Sequence, residues 1–265
     1  MKLRIATARQ GTAWVQAGIK TFFAQPLALT SLFFFSMMLM SLIGSIPVVG
    51  AAVALGLLPL STLMMMVAAA VTQQGERPTL GTIIQALRMD PQRRNAFVVL
   101  GGLYALGFVV VLGISAIADG GQFAKLNLMG GAISREVVEQ PEFQLAMLLT
   151  LVLYVPLSML FWHAPGLIYW HRVPAVKAVF FSLVACMRNM SAFLMFGLAW
   201  MGVSLGIGMA LALLATLLGA LLGTWAAVGL MVLGSLMLAA MFMASIVFSF
   251  RDCFDAPDGS PVLED

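Results

Sequence analysis

Six long apolar runs alternate with short polar stretches along this chain. They cover about 27–46, 51–72, 96–118, 144–170, 191–217 and 224–250. Each is about as long as a helix must be to cross the hydrocarbon of a bilayer, roughly 20 residues. Three polar stretches carry a different pattern. Trp14, Val15, Gly18, Ile19, Phe22 and Phe23 recur at helical spacing, and so do Leu80, Ile83, Ile84 and Leu87. The third set is Val176, Val179, Phe180, Leu183, Val184 and Met187. Spacings of three and four put such residues on one face of a helix. The pattern predicts three amphipathic helices lying in the headgroup plane with the apolar face down. Each precedes a two-span hairpin.

The chain then divides into an amphipathic lead (1–26), a six-span membrane domain (27–250) and an acidic tail (251–265) expected to be mobile. Gly44, Pro47 and Gly50 break the first hairpin, and Gly219–Gly223 joins the last two spans. Pro59, Pro156 and Pro165 fall inside spans and are expected to kink them. The stretch 119–143 is too small for a core of its own. It predicts a short helix near Ser134–Gln140. Segments 11–73, 79–170 and 174–250 read as three repeats of one orientation, a parallel arrangement. The alternative is that any multi-pass protein with amphipathic connectors shows this pattern.

Composition settles the class. The chain is 62% hydrophobic and 9% charged, with a mean hydropathy of +1.02. Soluble domains carry about 25% charged residues. A transmembrane barrel would alternate apolar and polar residues in segments of about ten, whereas these runs are continuous. The class is all-α and polytopic. The net charge is +3, but the basic residues stand at span ends, which points to topology and lipid headgroups rather than nucleic acid. Of 14 Lys and Arg, only Lys125 and Arg135 fall on the far side. That bias puts both termini in the cytoplasm. Lys2, Arg4 and Arg9 precede an apolar run too long and too late for a signal peptide, so the first span reads as uncleaved. Cys186 and Cys253 form no disulfide framework and no CxxC pattern.

Candidate chemistry is sparse. None of the 11 acidic residues lies centrally in a span, which argues against proton coupling and paired-carboxylate hydrolysis. His163 and His171 stand about 80° apart on a helix with no acidic neighbour, short of the three or four ligands a metal site takes. They read as polar residues of an interfacial belt with Trp162, Tyr169 and Trp170. The 20 methionines, Met64–Met66 among them, read as apolar packing. Ser182, Ser191 and Ser204 have no acid–base partner, so no nucleophile is assigned. Gly202, Gly206 and Ala210, and the pair Gly219 and Gly223, form small-residue stripes for helix packing. The basic groups Arg88, Arg93, Arg94 and Arg172, Lys177, Arg188 are candidates for contact with anionic headgroups. No cofactor is implied.

The small-residue and Ser face before the Arg188–Asn189 elbow, with the six-span layout, resembles a beta-proteobacterial family of multi-pass inner-membrane proteins known by a Burkholderia locus name. A more distant likeness is to the membrane domain of some bacterial glycerophosphodiesterases. The resemblance implies a Gram-negative inner membrane and carries no functional residues. Together these readings give a non-enzymatic accessory or scaffold protein that binds lipid or a membrane-protein partner. The alternative is a passive or lipid-handling transporter, with a cavity between the hairpins and Arg94, Arg188 and His163 at its mouth.

Overall fold

The structure is a computed structural model, and it describes residues 2–47, 49–86, 88–131 and 133–255. Every element among them is helical. In chain order they are α1 (Ala8–Ala24), α2 (Pro26–Gly44), α3 (Gly50–Gln73), α4 (Leu80–Ala86), α5 (Pro91–Asp119) and α6 (Gln122–Met129), then α7 (Arg135–Val138), α8 (Pro141–Phe161), α9 (Ala164–His171), α10 (Ala175–Arg188), α11 (Met190–Leu222) and α12 (Thr224–Cys253). Six stretches are long and apolar enough to cross a membrane: α2, α3, α5, α8 with α9, α11 and α12. The predicted spans match them to within a few residues at each end. Leu87 and most of the acidic tail, 256–265, lie outside the described residues.

The chain forms two compact units. The first holds Met1–Met37, Ser61–Met89 and Ala185–Asp265, and the second holds Met38–Leu60 and Asp90–Val184. In the first unit α1 packs along both α11 and α12. Gly11 makes the approach possible, since a Cβ there would stand 2.0 Å from the Ala192 carbonyl oxygen. Trp14 is 2% exposed and packs at 5.4 Å from Phe193 and 6.1 Å from Phe196. Its indole N–H donates to Asp252 at 2.7 Å, and the Gln10 amide donates to the same oxygen at 3.0 Å. A buried Trp costs least when its N–H finds such a partner. Of the apolar face of α1, expected to lie down on the headgroups, Trp14, Val15, Gly18 and Phe22 are therefore covered by protein, while Phe23 is exposed. The large side chains among those covered fill the space between α11 and α12 instead.

The segment before α1 is pinned as firmly. The Arg4 N–H donates to the Cys253 carbonyl at 2.9 Å, Leu3 bridges Phe254, and Arg4 pairs with Asp255. Asn189, fully buried, accepts from the Ala6 N–H at 2.5 Å. Its amide donates to the carbonyls of Arg4 at 3.2 Å and Ala185 at 2.9 Å.

The second unit is built on α5, which packs against α6, α8 and α9. Gly101 meets Gly56 of α3 backbone to backbone, the kind of close crossing small residues permit. Tyr104 donates to or accepts from Tyr154 at 3.2 Å and stacks edge-on against Phe161 at 5.0 Å. The stretch after α5 holds a helix the sequence reading missed. The Asp119 carboxylate accepts from the Gly121 N–H at 2.8 Å and the Phe123 N–H at 2.6 Å, and α6 starts there. The predicted short helix is present as α7. The helix of α8 ends at Phe161, and α9 restarts at Ala164. Ser182 of α10 holds that break by accepting from the His163 N–H at 2.9 Å and donating to the Met159 carbonyl at 2.8 Å.

On α10 the burial runs opposite to size. Ala175, Ala178, Ser182, Ala185 and Cys186 are buried, while Val176, Phe180 and Met187 are exposed. The large apolar stripe stays open along this helix, as an apolar face toward lipid would be.

Candidate functional site

The second unit carries a cavity of about 490 Å³ where α5 begins, α9 ends and α10 begins. Its first corner is the sequence Asp90–Pro91–Gln92–Arg93. Asp90 has extended backbone and caps α5, accepting from the Arg93 N–H at 2.9 Å, with Pro91 in the first turn. Pro fits there because its missing N–H would be unpaired in any case. Once the helix starts, Arg93 comes round to the same carboxylate, with Nε 2.9 Å from Oδ2. Arg93 also donates to the Tyr169 carbonyl at 3.2 Å, and its guanidinium lies 5.6 Å from the Tyr169 ring centre. Three contacts thus fix this guanidinium, and they tie the start of α5 to the end of α9.

The second corner is Arg172. It ends α9 with φ 54 and ψ 31, and it is the one non-glycine residue at positive φ among those described. An L-residue in that region costs roughly 1–2 kcal/mol. The left-handed turn brings Nη1 of Arg172 to 3.9 Å from Asp90 Oδ2, at the limit of an ion pair, with most of the side chain exposed. The third corner is Lys177, in the first turn of α10. Among the described lining residues Asp90 is the one carboxylate, against Arg93, Arg172 and Lys177. The remaining wall is amide and apolar: Gln92, Asn95, Ala96, Val99, Ile168, Val173, Pro174, Ala175 and Val176.

The Asp90 carboxyl is held below the usual carboxylate range. The hydrogen bond from the Arg93 N–H is the largest cause, opposed by partial desolvation and reinforced by the side chain of Arg93 and the charge of Arg172. The site is therefore one anion among three cations at neutral pH.

Of the six basic residues put forward from the sequence, three line this cavity: Arg93, Arg172 and Lys177. Arg88, Arg94 and Arg188 are exposed and are not among its lining residues. His163 is 0% exposed and stands at the break before α9, so it occupies no cavity mouth. The sequence reading did not single out Asp90, Gln92 or Asn95. The Asp-Pro pair directly before Gln-Arg-Arg-Asn was the available signal, since it marks both a helix cap and a fixed carboxylate.

The small-residue stripe of α11 faces open space in this chain. A Cβ added at Gly202 or Gly206 would meet nothing within 4 Å, and Ala210 is exposed. That face of α11 makes no helix contact among the described residues. Its burial goes instead to Ala192, Phe196, Trp200 and Ala215. Gly219 does pack, with a Cβ there 3.3 Å from Ala227, while Gly223 serves the turn into α12 at φ +91. Met65 and Met66 are fully buried, in keeping with their reading as packing. Among the described residues no group of three or more His, Cys, Asp or Glu could hold a metal ion.

Fold and site together define a multi-pass, all-α membrane protein with a basic cavity at one end of its second unit. Over 269 residues it is 37% identical to a protein of Burkholderia thailandensis named a probable inner membrane protein, covering 99% of this chain and 98% of that one. The chain belongs to that protein's family of inner-membrane proteins. No family model matches it, and no solved structure does. The more distant likeness to the membrane domain of glycerophosphodiesterases is not shown by these comparisons.

Proposed function

We propose that this protein is a non-enzymatic accessory or scaffold protein of the inner membrane, acting by binding lipid or a membrane-protein partner. The observation that carries the reading is the cavity at Asp90, Arg93, Arg172 and Lys177, which joins cations to an apolar wall. Such a surface suits a headgroup boundary, where a basic cluster attracts anionic lipid. A transporter would want polar groups turned into a lumen. Here the buried hydroxyls of Thr72, Ser115 and Ser249 donate to carbonyls of their own helices, three or four residues back. Hydroxyls bonded this way are masked within their own helices, which supports a packed interior over a conducting one. The orientation that fits the charge bias has both termini in the cytoplasm and the cavity on that side.

Native mass spectrometry on the protein extracted in native lipid particles tests the reading. The expected result is a stoichiometric protein partner or a retained lipid. Neither one, together with solute flux through reconstituted vesicles, would overturn it in favour of the transporter. For orientation, a phosphatase fused at Gln140 should be active and one at Gly75 inactive. The reverse pattern would invert the topology.

A further inference from the structure

The cavity's charges are not equivalent. Arg93 is held by Asp90 and Tyr169. Arg172 reaches the same carboxylate only at 3.9 Å, and Lys177 faces the cavity from the next helix. Asp90 thus neutralises about one cation, and an excess of two positive charges remains. Open aliphatic surface stands beside those charges. Val99 on α5 is 48% exposed and Val176 on α10 is 67% exposed, and both line the cavity. Unbalanced positive charge and open aliphatic surface in one cavity match an amphiphile. A small soluble phosphate would use the first and leave the second bare.

We propose that this cavity binds the headgroup of an anionic phospholipid. Arg172 and Lys177 meet the phosphate oxygens, Gln92 and Asn95 supply amide donors beside them, and the acyl chains leave along Val99 and Val176. Arg93 is a positioning residue, since it ties α5 to α9 and so sets where Arg172 stands. The net charge selects the lipid class. A zwitterionic headgroup brings a further cation into a site that already holds an excess of positive charge, with Asp90 paired to Arg93. A glycerol or second phosphate in its place suits the excess positive charge. A left-handed Arg172 fits this role, because strained backbone persists where a side chain must be aimed. The proposal rests on the lipid-binding branch of the function proposed above.

The test is native mass spectrometry of the delipidated full-length protein offered an equimolar mixture of phosphatidylglycerol and phosphatidylcholine, with R172G, K177Q and the double variant alongside. The expected result is retention of phosphatidylglycerol over phosphatidylcholine by the wild type, weakened about fivefold for each charge removed. Inorganic phosphate at millimolar concentration should not displace the lipid. Both substitutions fall on exposed positions, and an unchanged thermal midpoint will show that the variants are folded. Equal retention of the two lipids overturns the proposal. So does a preference that folded R172G and K177Q both keep, although lipid binding as the protein's role then stands. Displacement by inorganic phosphate moves the site to a soluble ligand. Retention of a protein partner with no lipid at all overturns the proposal together with the lipid branch.

Discussion

The two units each contain an Arg-Asn pair at the start of a long helix, Arg94–Asn95 at α5 and Arg188–Asn189 at α11. The structure uses them in opposite ways. Asn189 is 0% exposed, with both amide N–H groups and the amide oxygen directed at the chain itself: the Arg4 and Ala185 carbonyls and the Ala6 N–H. The protein's own N-terminal segment fills that elbow. Asn95 is exposed and lines a cavity beside Arg93, Arg172 and Lys177. The same dipeptide therefore closes one site with protein and leaves the other open. The lesson is that a motif's role follows from what occupies it. The filled elbow is structural, and the open one is where a ligand can compete.

The largest effect should come from breaking the filled elbow. Asn189→Ala strands the buried Ala6 N–H and the Arg4 carbonyl, while the Ala185 carbonyl keeps the backbone N–H of residue 189. Each orphaned buried group costs roughly 1–3 kcal/mol, so a loss of about 3 kcal/mol is expected. It should show as a lower thermal midpoint in detergent and as faster proteolysis near Ile5. An N-terminus that stays protected would mean the strap is held elsewhere. Next comes Gly11→Ala. Its Cβ would stand 2.0 Å from the Ala192 oxygen, and a backbone atom cannot rotate away. Overpacking of this kind costs about 1–3 kcal/mol. The shift should appear in the same melt, with the fluorescence of Trp14 altered as α1 lifts from α11.

This contrast also explains what could be read in advance. The six spans were legible because their signal is local, a count of consecutive apolar residues. The fate of the amphipathic helices was not. Periodicity finds the apolar face of α1 but cannot say whether lipid or protein covers it. That depends on Gly11 and Gly18 meeting Ala192 and Ser245, more than 180 residues away. On α10 the same periodicity marked Val176, Phe180 and Met187, whereas the buried face is the small one, Ala178 and Ser182. In a membrane size no longer tracks burial, since lipid solvates large side chains and helices meet through small ones. The cavity was half legible. Basic residues at span ends named Arg93, Arg172 and Lys177, but only the fold separates them from Arg88, Arg94 and Arg188.

A smaller effect should follow from Asp90→Ala, which removes the cap of α5 and leaves Arg93 without its carboxylate. The expected drop in midpoint is less than half that of Asn189→Ala, because the group is open to solvent. Its pH dependence has a definite sign. The folded carboxyl titrates below its ordinary value, so its contribution is present above that value and is lost as pH falls through the folded one. The gap between wild type and Asp90→Ala should be constant from pH 8 to 5 and close only below about 4. A gap that closes near pH 6 would mean that a histidine, not Asp90, controls this end.

The smallest effect is the most diagnostic. Arg172→Gly removes an L-residue from a left-handed turn, relieving roughly 1–2 kcal/mol of strain. It also gives the unfolded chain more freedom, at a cost of about 0.4–1 kcal/mol. The Asp90 contact at 3.9 Å is too long and too exposed to add much. The net change should be a stabilisation of under about 1 kcal/mol, read as a midpoint equal to or slightly above the wild type. Loss of the arginine at the filled elbow, by Arg188→Gly, should instead lower the midpoint, because glycine in the last turn of α10 only weakens the helix. If Arg172→Gly is the destabilising one, the left-handed turn is held by its side chain. Arg172 would then belong with Asn189 as a structural residue, and the contrast between the two elbows would fall.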